Sequence, residues 1–156
     1  DNNTNNDLVT SSFNIGNIDL SALSLTFNSD TIQYGNNLDI NFGYKNIGNS
    51  TANLDYNILY YVNNNLVKNN LISDDLLANA TAYNSYSFTT NKTGNNDVNV
   101  CVIYSGIDSN NLNNCMQKSF TVTYVDLNVS IVVPDVNAGH TVDVNCIVHN
   151  LSLIHI

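Results

Sequence analysis

Apolar and polar residues alternate with period two along almost the whole chain, the pattern of half-buried β-strands. Leu38, Ile40, Phe42 and Tyr44 form one face of a strand, and Leu54, Tyr56, Ile58, Tyr60 and Val62 one face of the next. Asn63-Asn64-Asn65 reads as a turn, because Asn tolerates positive φ, with Leu66-Val67 starting the return strand. Tyr86 and Phe88 alternate within 82–90. Val98, Val100, Val102 and Tyr104 line a further strand, and Met116, Phe120, Val122 and Tyr124 its partner across the loop 105–114. The first strand, 18–27, changes parity between Leu20/Ala22 and Leu23/Leu25/Phe27, which predicts a bulge or a strand crossing between sheets. Only SDDLLANA, 73–80, has the composition of a helical turn. About seven short strands with Asn/Gly/Asp turns between them predict an all-β, immunoglobulin-like antiparallel sandwich. The chain has no Trp, so its core is expected to pack aliphatic, Phe and Tyr side chains.

The pattern also repeats. With an offset of 107 residues, Asp1, Asn3, Asn6, Ser12, Phe13, Asp19 and Leu20 fall on Asp108, Asn110, Asn113, Ser119, Phe120, Asp126 and Leu127. With an offset of 104, Gly35, Asp39, Asn41 and Asn46 fall on Gly139, Asp143, Asn145 and Asn150. Such a period exceeds that of solenoid repeats and matches the length of a small domain. The chain therefore reads as a window on a tandem array cut at both ends. On this reading 1–17 are the last loop and strand of one copy, 18–124 are a complete domain, and 125–150 are the first strands of the next. The final LSLIHI, 151–156, breaks the repeat register. It is the translation of CTGTCTCTTATACACATC, which resembles a transposase end sequence used in library preparation, so 151–156 are expected to be a read-through artefact.

Composition narrows the partners. All thirteen acidic residues are Asp, the four basic ones are Lys45, Lys68, Lys92 and Lys118, the net charge is −9, and about a fifth of the chain is Asn. With no basic cluster, nucleic acid and anionic membrane surfaces are poor partners. No apolar run approaches the length of a membrane span.

IDLSALSL (18–25), YGNNLDINFGYKNIGNSTA (34–52), YYVNNNLV (60–67), YSFTT (86–90), DVNVCVIY (97–104) and the Asn-Asn loop at 110–114 together resemble the CARDB family, cell-adhesion-related domains of bacteria and archaea. The match runs from the opening Asp-Leu, through a strand ending in Asn-x-Gly, to the hairpin Tyr61–Val67. The family's Glu beside the paired Asn of the last loop is missing next to Asn113-Asn114. The resemblance implies an Ig-like domain of a surface protein, often in tandem, with no catalytic residues.

Candidate chemistry is sparse. No nucleophile, metalloprotease or phosphate-loop motif is present, and the three histidines lie at 140, 149 and 155. No catalytic, cofactor or metal residue is assigned, and no enzymatic activity is expected. Asp1, Asn3, Asn5 and Asp7 alternate as in calcium loops but lack the Gly and the bidentate Glu; with Asp19 and Asp126 at domain junctions they leave structural calcium as a weak alternative. Asn-x-Ser/Thr sites at Asn2, Asn49, Asn79, Asn91 and Asn128 are candidates for glycosylation, although chance in so Asn-rich a chain supplies as many. Cys146, the repeat mate of Phe42, reads as a small buried hydrophobe. Cys101 and Cys115 differ: strands folding back about position 108 set them opposite each other on the outer face, while Val100 meets Met116 on the core side, which predicts a disulfide. The expected function is a non-catalytic extracellular stalk or spacer module of an adhesin-like surface protein. Its partners are neighbouring repeats and surface glycans or proteins. The alternative is an accessory spacer or glycan-binding module of a secreted enzyme, with Tyr61 and Tyr83 the exposed stacking candidates.

Overall fold

The computed structural model describes residues 15–133, 138, 139, 141 and 143–151. Eight strands make two facing sheets: β1 (Leu20–Phe27), β2 (Thr31–Gln33), β3 (Asn37–Asn46), β4 (Tyr56–Val62), β5 (Asn65–Ile72), β6 (Thr81–Thr89), β7 (Gly94–Tyr104) and β8 (Cys115–Thr123). One sheet has the order β1-β3-β6, the other β2-β8-β7-β4-β5. All pairings are antiparallel except β2 with β8, which is parallel. The protein is an all-β, immunoglobulin-like sandwich. A third, two-stranded sheet joins β9 (Leu127–Val132) to β10 (Asn145–Asn150).

The alternation places the core as the sequence predicts. Leu38, Ile40, Phe42 and Tyr44 from one sheet meet Tyr56, Ile58, Tyr60, Val98, Val100 and Val102 from the other, all buried. Each such side chain contributes roughly 1.5–3 kcal/mol through the apolar surface it removes from water. Aromatic contacts tie the sheets together: Tyr44 meets Tyr56 edge-on with centroids 5.7 Å apart, Tyr60 meets Tyr86 at 5.4 Å, and Phe27 meets Phe120 at 5.9 Å.

Two local devices set the register. β1 is bulged against β3 between Ala22 and Ser24, as the parity change predicts, so Leu23 turns outward and Leu25 returns to the core. The β4–β5 hairpin closes through Asn63 and Asn64, with φ of 49° and 64°. Two successive positive φ values are what a two-residue turn between twisted strands requires, and Asn supplies them without a glycine.

Three sequence expectations are corrected at the strand ends. Leu54 lies before β4 and is exposed, and Tyr124 lies beyond β8 and is half-exposed, because the backbone ladders stop short of both. Residues 73–80 form no helical turn: Leu76 exchanges both backbone hydrogen bonds with Ala52 instead, at 2.9 and 3.0 Å, and is buried. The short strand β2, too brief to show alternation, brings the sandwich to eight strands.

Candidate functional site

The residues that the sequence singles out fall in three places, and the end of the sandwich holds most of them. Here the loop after β7 folds back onto the start of β1. Asp108 Oδ2 accepts from the backbone N–H of Leu20 at 3.2 Å and from Asn114 Nδ2 at 3.1 Å, while its Oδ1 accepts from Asn110 N at 3.0 Å. Asn113 Nδ2 donates to Asp19 Oδ1 at 2.9 Å, and Ser109 N donates to Ile18 O at 2.9 Å. The paired Asn113-Asn114 thus serve as donors that hold two aspartates. Their own Oδ1 atoms are buried and have no hydrogen-bond partner among the described residues.

The same end shows why Asn46-Ile47-Gly48 is needed. The Asn46 side chain is fully buried; its Nδ2 donates to Ser50 O at 2.8 Å and Leu76 O at 3.0 Å, and its Oδ1 accepts from Gly48 N at 3.1 Å. A Cβ at position 48 would overlap the backbone carbonyl of Asn17 and stand 2.9 Å from Asp19 N, so only glycine lets the segment before β1 pack there. Asn17 and Asn49 then clasp each other, Asn17 N donating to Asn49 Oδ1 at 2.7 Å and Asn49 N to Asn17 Oδ1 at 3.3 Å.

Among the described residues, no group of three or more His, Cys, Asp or Glu is gathered as a metal site would need. Asp1, Asn3, Asn5 and Asp7 lie outside the described residues.

The second place is the β7–β8 ladder. Cys101 pairs with Cys115, and Val100 with Met116; the two sulfurs are joined at 2.08 Å across Cα atoms 4.1 Å apart. Cys101 is buried rather than on an open face, because β7 is a central strand flanked by β4 and β8 and carries the disulfide over it; Cys115 is exposed. Cys146 is a free, exposed thiol on β10 rather than a buried hydrophobe: nothing among the described residues covers its sheet.

The third place is the surface. Asn49, Asn79, Asn91 and Asn128 are all exposed, whereas Asn2 lies outside the described residues. The Asn49 side chain is engaged with Asn17, and Asn79 sits at φ 63°. Of the two tyrosines named from the sequence, Tyr61 is half-buried and Tyr83 is 73% exposed on β6. Burial holds the Tyr44 and Tyr60 hydroxyls well above the usual phenol range; at Tyr44 the hydrogen bond with Tyr56, 3.4 Å between oxygens, adds to it.

No family model and no curated protein sequence matches the chain. Solved structures do. The crystal structure of a CARDB domain from Pyrococcus furiosus, determined in complex with two metal ions, superposes with a TM-score of 0.59 at 17% identity, covering 72% of this chain and 97% of that one. The solution structure of the same domain gives 0.60 at 19% identity, over 69% and 97%. A domain of a Methanosarcina acetivorans protein, whose name assigns it to the cell surface, gives 0.55 at 17%, over 68% and 92%. The resemblance carried by the sequence motifs is therefore upheld at the level of three-dimensional structure: this chain has the fold of the CARDB domains.

Proposed function

We propose that the chain is a stretch of a tandem array of Ig-like modules in an extracellular surface protein, working without catalysis as a stalk or spacer that holds adhesive regions away from the cell. One observation carries this reading. β9 and β10 pair in the register of β1 and β3. Leu20↔Asn46, Ser21↔Lys45 and Ala22↔Tyr44 become Leu127↔Asn150, Asn128↔His149 and Val129↔Val148 under the two sequence offsets. The ladders agree up to the β1 bulge and are offset by one residue beyond it. A sequence repeat thus returns as a structural one, and Leu127, Val129, Ile131, Cys146 and Val148 form an apolar face of the kind a sandwich interior covers. On this reading 125–150 open a further module, and 18–124 are the complete one.

The known neighbours support the extracellular placement through the name of the Methanosarcina protein, and the acidic, Asn-rich surface suits a hydrated exterior. The partners are neighbouring modules of the same chain. Modules strung in series gain reach, and weak contacts gain from being multiplied. The test is to label intact cells of the source organism with antibodies against 18–124 and to image the full gene product by electron microscopy. Surface labelling and a beaded rod are expected. Label confined to the cytosol, or a single compact particle, overturns the reading.

A further inference from the structure

The outward face of the three-stranded sheet is polar apart from Leu23 and Tyr83, and its charged residues are Asp39 and, at its end, Lys45. Its rows follow from the register. Ser24, Gly43 and Tyr83 form one row across β1, β3 and β6; Thr26, Asn41 and Ser85 form the next; Asp39 and Ser87 pair in the third, with Asn28 beside them. The rows are chemically different. In the third, the groups satisfy one another: Ser87 Oγ donates to Asp39 Oδ1 at 2.7 Å and Asn28 Oδ1 accepts from Asp39 N at 3.0 Å. In the middle row the side chains of Thr26, Asn41 and Ser85 are exposed and make no hydrogen bond among the described residues.

The first row holds a ring. Tyr83 is 73% exposed, yet it is not splayed into solvent: a Cβ at Gly43 would stand 2.9 Å from its Cε1 and 3.2 Å from its Cδ1. The ring therefore rests an edge against the glycine and leaves most of its surface open to water. A shallow groove of about 350 Å³ spans the second and third rows, lined by Asn28, Asp39, Asn41, Ser85, Tyr86 and Ser87.

We infer that this face binds a neutral oligosaccharide. The open side of the Tyr83 ring takes the C–H face of one sugar, and Asn41, Ser85 and Thr26 exchange hydrogen bonds with the hydroxyls of the next. A pyranose matches both demands at once: an apolar face for the electron-rich ring, and hydroxyls at its rim that both donate and accept. Successive rows are about 6.8 Å apart along the strands, so one extended chain of sugars meets the ring and the polar row together. An acidic glycan fits poorly, because Asp39 borders the groove and the chain carries a charge of −9. This site goes beyond the spacer role and does not depend on it. The competing account is that Tyr83 serves only to cover Gly43, as aromatic residues do for glycines in sheets.

The experiment separates the two. The 156-residue chain, labelled with ¹⁵N, is titrated with cellohexaose, laminarihexaose, mannohexaose, chitotetraose and, as an acidic control, a hyaluronan oligosaccharide. At least one neutral probe is expected to shift the amides of residues 24–26, 41–43 and 83–85, with a Kd of about 1 mM or tighter. Tyr83→Phe keeps that affinity, while Tyr83→Ala weakens it at least tenfold. Asn41→Ala and Ser85→Ala, which break no side-chain hydrogen bond among the described residues, weaken it about threefold each while the rest of the spectrum stays in place. The inference is overturned if no neutral probe shifts this face at 5 mM, if the shifts map elsewhere, if only the acidic probe binds, or if affinity survives both Asn41→Ala and Ser85→Ala.

Discussion

The carboxylate of Asp108 accepts a hydrogen bond from the backbone N–H of Leu20, eighty-eight residues earlier in the chain. Leu20 is fully buried, so its N–H has no recourse to water. The same oxygen holds the buried Asn114 side chain. Replacing Asp108 with Ala leaves both donors without a partner and is expected to lower stability by about 2–3 kcal/mol, since an orphaned buried donor costs its full desolvation. Urea denaturation of the variant against the parent checks this; a change under 0.5 kcal/mol would mean that the loop after β7 does not hold β1.

Asn46 is the polar hub of the same end. Asn46→Ala removes two donated bonds and two accepted ones, from Gly48 N at 3.1 Å and Asp19 N at 3.5 Å, from a fully buried position. With each bond contributing about 1 kcal/mol and the partners themselves partly or wholly buried, a loss of about 3 kcal/mol or more is expected. Thermal melting of the variant reads it directly, and a melting point within a degree of the parent contradicts it.

How much of this was legible from sequence depends on the range of the interactions. The buried faces of β3, β4 and β7, the bulge in β1 and the Asn63-Asn64 turn are written in spacing over a few residues, and they appear where that spacing puts them. The exposure of Leu54 and Tyr124 was not legible, because alternation does not mark where a backbone ladder ends. Nor was β2, a three-residue strand held in parallel by β8. The clasp of Asp108 on Leu20 is non-local, yet a signal for it existed. Asp108, Asn113 and Asn46 are all positions the internal repeat preserves, in Asp1, Asn6 and Asn150. Identities in a repeat that are not apolar mark polar groups the fold requires. The row of free hydrogen-bonding groups beside Tyr83 had no such signal, since it emerges only when three strands align.

Cys101 and Cys115, separated by 14 positions in sequence, close a loop across the β7–β8 turn. In the chain-entropy account, a cross-link of that span constrains the unfolded chain by about 3 kcal/mol. Reductant is therefore expected to lower the urea midpoint of the parent but not of a Cys101→Ala/Cys115→Ala double variant. A non-reduced digest of thiol-blocked protein shows the 101–115 crosslink by mass spectrometry; two alkylated free thiols in its place refute it.

Hydrogen exchange should divide the chain. Among the described residues, every buried apolar side chain lies between Leu20 and Val122, while all residues of β9 and β10 are exposed. A two-stranded hairpin with both faces in water is marginal. Amides of β3, β4 and β7 are expected to exchange only through global opening, and those of β9–β10 to exchange orders of magnitude faster. Comparable protection across 127–150 in a monomer would show that this hairpin is covered by the sandwich rather than left for a further module.

Tyrosine burial makes stability fall in alkali. Tyr44 and Tyr60 have their ionisation raised, chiefly by removal from water, and both lie in the core. In the unfolded chain each loses its proton near pH 10, while the folded protein keeps both beyond that point. The unfolded state then binds fewer protons than the native state, so unfolding free energy decreases with rising pH. Their contribution is complete below about pH 10 and declines above it by about 1.4 kcal/mol per pH unit for each tyrosine, about 2.7 for the pair. Tyr44→Phe removes one ionising group at the cost of a single 3.4 Å hydroxyl contact, so the slope of stability between pH 10 and 11.5 should fall by about half. Urea midpoints measured at half-unit pH intervals test this; an unchanged slope in Tyr44→Phe would show that other groups drive the alkaline loss.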